Sequence, residues 1–314
     1  MTWYYAVAPV FTSGVPAEVH LPVDLGNGVR LDRLPPIYGN YVDEMTRQVG
    51  TFHTAASGGL ALVSDYEADC MDAPDPSPPG RPRSMADAAG QAIQIGSLST
   101  WLAQPTDLSF CLIAVLSEKI RPRPIVYPPL HVPEGFVFGV LTPERFVEAR
   151  TINERLFRLS TRTTAWVATR YLWFALHEEA IDLAYGILSI AIEALVGPED
   201  FKDLTHRIPR RGAALLGGGR SDQCLTHVRL AKWWKARCDV MHGETLEKHA
   251  DVEKKKLLGG ALELVRLGIR KILLDPAVAA EFVSFPTRDA YLERIGAGFA
   301  DPTPAEQAAA EAKR

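Results

Sequence analysis

The sequence predicts an α+β protein in which a strand-rich mixed domain, residues 1–141, precedes an all-α helical bundle, residues 142–275, and a tail, residues 276–314. Three observations carry this reading. Before residue 80 the apolar residues come in short aromatic and β-branched runs broken by Pro and Gly. After residue 142 they recur at three- and four-residue steps. The change falls at Thr142-Pro143-Glu144, where a capping Thr, a first-turn Pro and an acid at the positive helix end spell a helix start.

In chain order, Trp3–Val7, Val19–Val23 and Gly59–Val63 are predicted strands, and Tyr41–Arg47 a short helix. Five prolines between Asp72 and Arg83 exclude regular structure there. Met85–Gln104 has helical spacing (Ala89, Ile93, Leu98, Trp101, Leu102). Phe110–Leu116 is a short apolar run that suits a buried strand or a helix equally, and a second Pro-rich loop spans Arg121–Pro133. Arg81-Pro82-Arg83 and Arg121-Pro122-Arg123 read as solvated loop charge.

The predicted bundle has helices over about 143–159, 161–177, 180–196, 205–216, 221–241 and 245–274. The third is apolar nearly all round, which marks a bundle centre, and Gly197-Pro198 stops it. Asp301–Arg314 reads as a frayed helix or disorder.

Composition narrows the function classes. A chain of 314 residues with net charge −4 does not bind nucleic acid through its overall charge. The four cysteines lack metal spacing, so reduced thiols are expected and no metal or other cofactor is. No basic stretch followed by an apolar run opens the sequence, so no secretory signal is expected, and the most apolar run, Ile181–Val196, is short and carries Asp182 and Glu193. A cytoplasmic protein without a membrane anchor is the expectation.

One local asymmetry stands out. Between Phe201 and His242 lie nine Lys and Arg against three acids, a local +6 in an acidic chain, as clustered phosphate partners or a solvated helix face would produce. This stretch ends in Arg237-Cys238-Asp239-Val240-Met241-His242-Gly243. A guanidinium grips phosphate with two hydrogen bonds, and an imidazole exchanges protons near neutral pH. Together they suit metal-free attack of an RNA 2′-hydroxyl on its phosphate, with His242 as acid or base and Arg237 stabilising the oxyanion. On one straight helix they would stand about 140° apart in azimuth and about 7.5 Å apart along the axis. Convergence therefore needs a bend at Gly243 or a second copy of the chain. A His on the helix dipole and an Arg in a structural ion pair account for the same residue types. Leu225, Val228, Ala231, Trp234, Cys238 and Met241 form the predicted core stripe, leaving Trp233 to stack on a base.

Ile190-Ala191-Ile192-Glu193-Ala194-Leu195, then Thr205-His206-Arg207 to Arg211–Leu216, then Trp234–Gly243 with its Arg-x4-His, resembles the HEPN superfamily, in its Apea-like branch, over about residues 143–275. The resemblance implies an antiparallel bundle that forms a homodimer, with paired motifs facing one another across a cleft. It also implies either a metal-independent endoribonuclease of a toxin or antiviral defence system, with a possible partner protein, or a non-catalytic dimerisation, nucleotide-binding or RNA-binding module. By motif match Arg237 and His242 are catalytic. Arg207, Arg211 and Lys235 are the candidate phosphate ligands, with Glu193 and Asp239 in support. Active members often carry Asn, Asp or His after the motif Arg, whereas this chain has Cys238. Glu193, in an apolar helix, needs a partner, for which Arg237 or Arg211 is the expectation.

Overall fold

A computed structural model of the chain describes residues 2–10, 15–16, 18–34, 59–68, 85–106, 108, 112–117, 123–126, 137–241 and 251–312. The expected helix at 41–47, the proline loop at 72–83, Arg121 and His242 lie outside them. The architecture is α+β, and the chain forms two compact units: Met1–Leu130 with Val137–Arg158, and His131–Phe136 with Leu159–Arg314.

The first unit holds an antiparallel sheet of β1 (Thr2–Pro9), β2 (Val23–Gly26), β3 (Val29–Arg33), β4 (Leu60–Ala68), β5 (Leu112–Ser117) and β6 (Arg123–Val126), in the order β2-β3-β4-β1-β5-β6. Side chains alternate faces along a strand. Ala6-Val7-Ala8 on β1 and Ala61-Leu62-Val63 on β4 are all buried, so both faces of these central strands are covered. The ambiguous run near 110 is a strand, and the second Pro-rich loop contains one, β6, paired to β5 at the sheet edge. Pro124 is tolerated there because an edge strand bonds on one side only. Residues 19–22, expected in a strand, precede β2. Asn27-Gly28 then forms the β2–β3 turn, with Gly26, Asn27 and Gly28 all at positive φ. Asn-Gly is the sequence pattern that favours such a hairpin.

Helix α1 (Met85–Ala103) packs on the sheet so closely that a Cβ on Gly96 would come within 2.8 Å of Val29 Cγ1. Helix α2 (Pro143–Arg158) corrects the expected domain boundary. Its apolar stripe (Phe146, Ala149, Ile152, Leu156) belongs to the strand-bearing unit, and α2 packs on α1 and β2. Asn153, fully buried, donates to Leu25 O at 2.8 Å and Gly26 O at 3.1 Å, tying α2 to the end of the β2–β3 hairpin. Composition alone marks where helix replaces strand, and a helix start is not a domain start.

The second unit is helical and bundle-like: α3 (Thr164–Leu176), α4 (Ile181–Val196), α5 (Leu204–Leu216), α6 (Arg220–Met241), α7 (Asp251–Leu274), α8 (Pro276–Glu281), α9 (Phe285–Ala297) and α10 (Pro304–Ala312). Capping chemistry sets several boundaries. Thr163 accepts from Trp166 N at the start of α3, and Asp275 accepts from Ala277 N and Val278 N at α8. Ser284 and Thr287 form a capping box at α9. Helix α4 packs against α3, α5, α6 and α7, as its apolarity foretells, yet leaves Leu183 and Ile190 exposed, and α3 leaves Phe174 exposed. The tail, of which 301–314 was expected as a frayed helix or disorder, supplies α8–α10. Leu292, Phe299 and Ala310 are buried, and α9 and α10 pack on α5 and α6. No helix among the described residues is long and apolar enough to cross a membrane.

Candidate functional site

Two helices bring the candidate residues together. Helix α4 presents Glu193 one turn from its C-terminus, and α6 presents Arg237 one turn from its own. Arg237 Nη2 donates to Glu193 Oε1 at 2.9 Å, the side chains being 20% and 26% exposed, so the pair is half-buried. The guanidinium also lies 4.7 Å from the centroid of Trp234, a cation–π contact that fixes its plane. Burial raises the Glu193 pKa and the Arg237 cation opposes the rise. Arg237 Nε is buried and has no hydrogen-bond acceptor among the described residues. Of the two partners expected for Glu193, Arg237 is the one found.

The Glu193 backbone is held as well. Arg288 of α9, fully buried, donates to Ala194 O at 2.6 Å, to Glu193 O at 3.3 Å and to Gly197 O. These carbonyls lie at the negative end of the α4 dipole, where a cation is stabilised. Burial still lowers the Arg288 pKa to about 10. The residues that fix Glu193 thus both follow it in sequence, and Arg288 lies in the segment expected to be a tail.

The remaining site residues divide. Lys235 is exposed on α6, as a phosphate ligand must be. Arg211 is not available: it is 2% exposed, donates to Asp289 at 2.7 Å and pairs with Glu293. Arg207 pairs with Asp200 and the same Glu293. Arg211 is thus part of the buried joint between α5 and α9, not an accessible phosphate ligand, while Arg207 remains a quarter exposed within its ion pairs. A basic run shows its charges in sequence but not the acids that fold back onto them. Asp239, expected as a supporting residue, is half-buried, and two helical residues turn about 200°, so it stands on the side of α6 away from Arg237. His242 follows the last residue of α6 and lies outside the described residues.

Two further expectations change. Trp233 is not free to stack on a base, being 1% exposed and stacked on Tyr185 at 5.9 Å between centroids. Cys238, placed by periodicity on the buried stripe, is half-buried, and so are Leu225 and Ala231. The core face of α6 is instead Cys224, Val228, Leu230, Trp233, Trp234 and Ala236, broadened because helices pack on more than one side of it. No group of three or more His, Cys, Asp or Glu among the described residues is placed to hold a metal ion.

The acids that engage the basic stretch, Asp289, Glu293, Asp301, Glu306 and Glu311, were missed by sequence reasoning. A signal for their helices was present: Ser284-Phe285-Pro286-Thr287 and Thr303-Pro304-Ala305-Glu306 both read as capped starts with Pro in the first turn. Comparison of the chain with protein-family models, with curated proteins and with solved structures finds no match in any of the three.

Proposed function

We propose that the helical unit is a HEPN-type, metal-independent endoribonuclease. Arg237 holds the scissile phosphate and His242 transfers the proton as the RNA 2′-hydroxyl attacks. The observation that carries this reading is the setting of Arg237: a half-buried guanidinium, held between the Glu193 carboxylate and the Trp234 face one turn from the end of α6. A cation whose orientation is fixed before substrate arrives stabilises developing oxyanion charge without reorganising. The described contact with Glu193 uses one of the five N–H donors of the guanidinium. Glu193 is accordingly a positioning residue.

A homodimer completes the site in this reading, two chains placing their Arg237 and His242 across one cleft. Phe174, Leu183 and Ile190, exposed on α3 and α4, supply apolar area for such contact. A toxin or antiviral defence setting, with a possible partner protein, follows from the HEPN resemblance. A second reading, a non-catalytic RNA-binding or dimerisation module, is favoured by one observation: Arg207 and Arg211 are consumed by intramolecular acids, which thins the phosphate cradle.

Product chemistry separates the two readings. Cleavage of labelled RNA in the presence of a chelator should leave 2′,3′-cyclic phosphate and 5′-hydroxyl ends. A 2′-deoxy substitution at the cut site should abolish it. Cleavage that requires added metal, or that leaves 5′-phosphate ends, overturns the mechanism. Binding without any cleavage supports the module.

A further inference from the structure

The C-terminal segment engages much of the basic stretch that precedes it. Arg207, Arg210, Arg211, Arg220 and Lys232 all contact residues 289–311. These contacts are of two kinds. Those made by α9 are structural, since Arg211 is buried and Arg210 reaches the carbonyl of Gly296 at the end of α9. Those made by residues 299–312 lie at the surface.

Arg220 forms a bidentate pair with Glu306, at 2.8 and 2.9 Å, and also donates to Ala300 O and to Asp301 O. Lys232 pairs with Glu311 at 2.9 Å. His227 stacks on Phe299 and sits 3.8 Å from Asp301. The side chains of Arg220 and Lys232 remain 39% and 35% exposed within these pairs. Across 299–312 only Phe299, Pro302 and Ala310 are buried. Helix α10 has nine residues, a length at which helices are marginal without tertiary support. A carboxylate gripping a guanidinium with both oxygens offers the geometry that a phosphate would.

We propose that residues 299–312 form a displaceable acidic strap over an RNA-docking face of α6, where Glu306 and Glu311 compete with RNA phosphates for Arg220 and Lys232. RNA that displaces the strap gains those two cations and joins them to Lys235, exposed on the same side of α6. Helical geometry puts Arg220, Lys232 and Lys235 about 100–160° round α6 from Arg237. The strap therefore guards a docking face, not the cleavage centre. The inference rests on the reading that the helical unit meets RNA, but not on its cutting it.

The test uses the full chain carrying His242→Ala, so that a labelled 20-nucleotide single-stranded RNA survives the measurement. Adding Asp301→Asn, Glu306→Gln and Glu311→Gln should tighten RNA binding about tenfold at fixed salt. It should also steepen the slope of log K against log salt by about 1.4, two phosphate contacts at about 0.7 each. On the chain with its acids intact, saturating RNA should speed hydrogen exchange of the amides in 304–312, a readout that does not depend on the variant folding. Affinities within twofold of each other, or exchange in 304–312 unchanged or slowed by RNA, overturn the strap. Tighter binding without cleavage by the unmodified chain leaves the strap standing and removes the nuclease. Unchanged binding with cleavage intact removes the strap alone.

Discussion

Replacing Arg237 with Ala perturbs the site and the bundle together, and its cost follows from the pair's environment. Fully exposed pairs contribute about 0–1 kcal/mol, and breaking a buried pair costs about 3–5 kcal/mol. With side-chain exposures of 20% and 26%, the Arg237–Glu193 pair falls between these limits. Loss of the Trp234 contact adds up to about 1 kcal/mol, so a destabilisation of about 2–3 kcal/mol is expected. The pH dependence has a definite sign. Burial raises Glu193 above the ordinary carboxyl value, so the folded state binds more protons than the unfolded state between the two pKa values. Stability therefore falls as pH rises through that window. Removing Arg237 takes away the opposing cation and widens the window. Urea denaturation should show a larger loss at pH 7 than at about pH 4, where the carboxyl is protonated. Glu193→Gln, which stays neutral, should remove most of this difference when combined with Arg237→Ala. A loss below about 0.5 kcal/mol that is the same at both pH values would refute the pairing argument.

Four other substitutions probe the frame. Gly96→Ala and Gly260→Ala are the same change with opposite expected signs. A Cβ at Gly260 meets nothing within 4 Å, so helix propensity gives a gain of about 0.5–1 kcal/mol, whereas Gly96 abuts Val29 and overpacking costs about 1–3 kcal/mol; thermal denaturation reads both. Asn153→Ala leaves the Leu25 and Gly26 carbonyls without their side-chain donor and should cost about 1–3 kcal/mol in urea denaturation. Arg288→Met removes a buried cation that caps α4, and should release Glu193 enough to weaken the Arg237 pair. A double-mutant cycle with Arg237→Ala should show coupling above about 0.5 kcal/mol, and strict additivity would separate the two sites.

The legible parts of this fold were those set by local chemistry. Met85–Gln104 and Thr142-Pro143-Glu144 announced α1 and α2 within a residue or two, because spacing and capping are properties of neighbours in sequence. The partner of α2 was not legible. Asn153 reaches across more than a hundred residues to the β2–β3 turn, and nothing in its helix names that destination. The site divides in the same way. Glu193, as the one acid in the last three turns of an apolar helix, asked for a cation, and Arg237 answers it. Arg207 and Arg211 looked like phosphate ligands because Asp289 and Glu293, which engage them, lie some eighty residues further on. The capped starts at Ser284 and Thr303 were readable in the sequence, but a capped start says that a helix begins and not that it will pack.

The most direct measurement is the rate of RNA cleavage in excess chelator by the unmodified chain, His242→Ala and Arg237→Ala, each first shown by circular dichroism to be folded at the assay temperature. A positioned acid or base contributes about 10²–10⁴-fold. His242→Ala should therefore lose activity on that scale. Arg237→Ala should lose a similar factor, and Arg237→Lys, which keeps charge but not the fork, should recover part of it. Cleavage by the unmodified chain that persists at full rate in either Ala variant, or that appears only when metal is supplied, would contradict the assignment of Arg237 and His242 as the reacting pair.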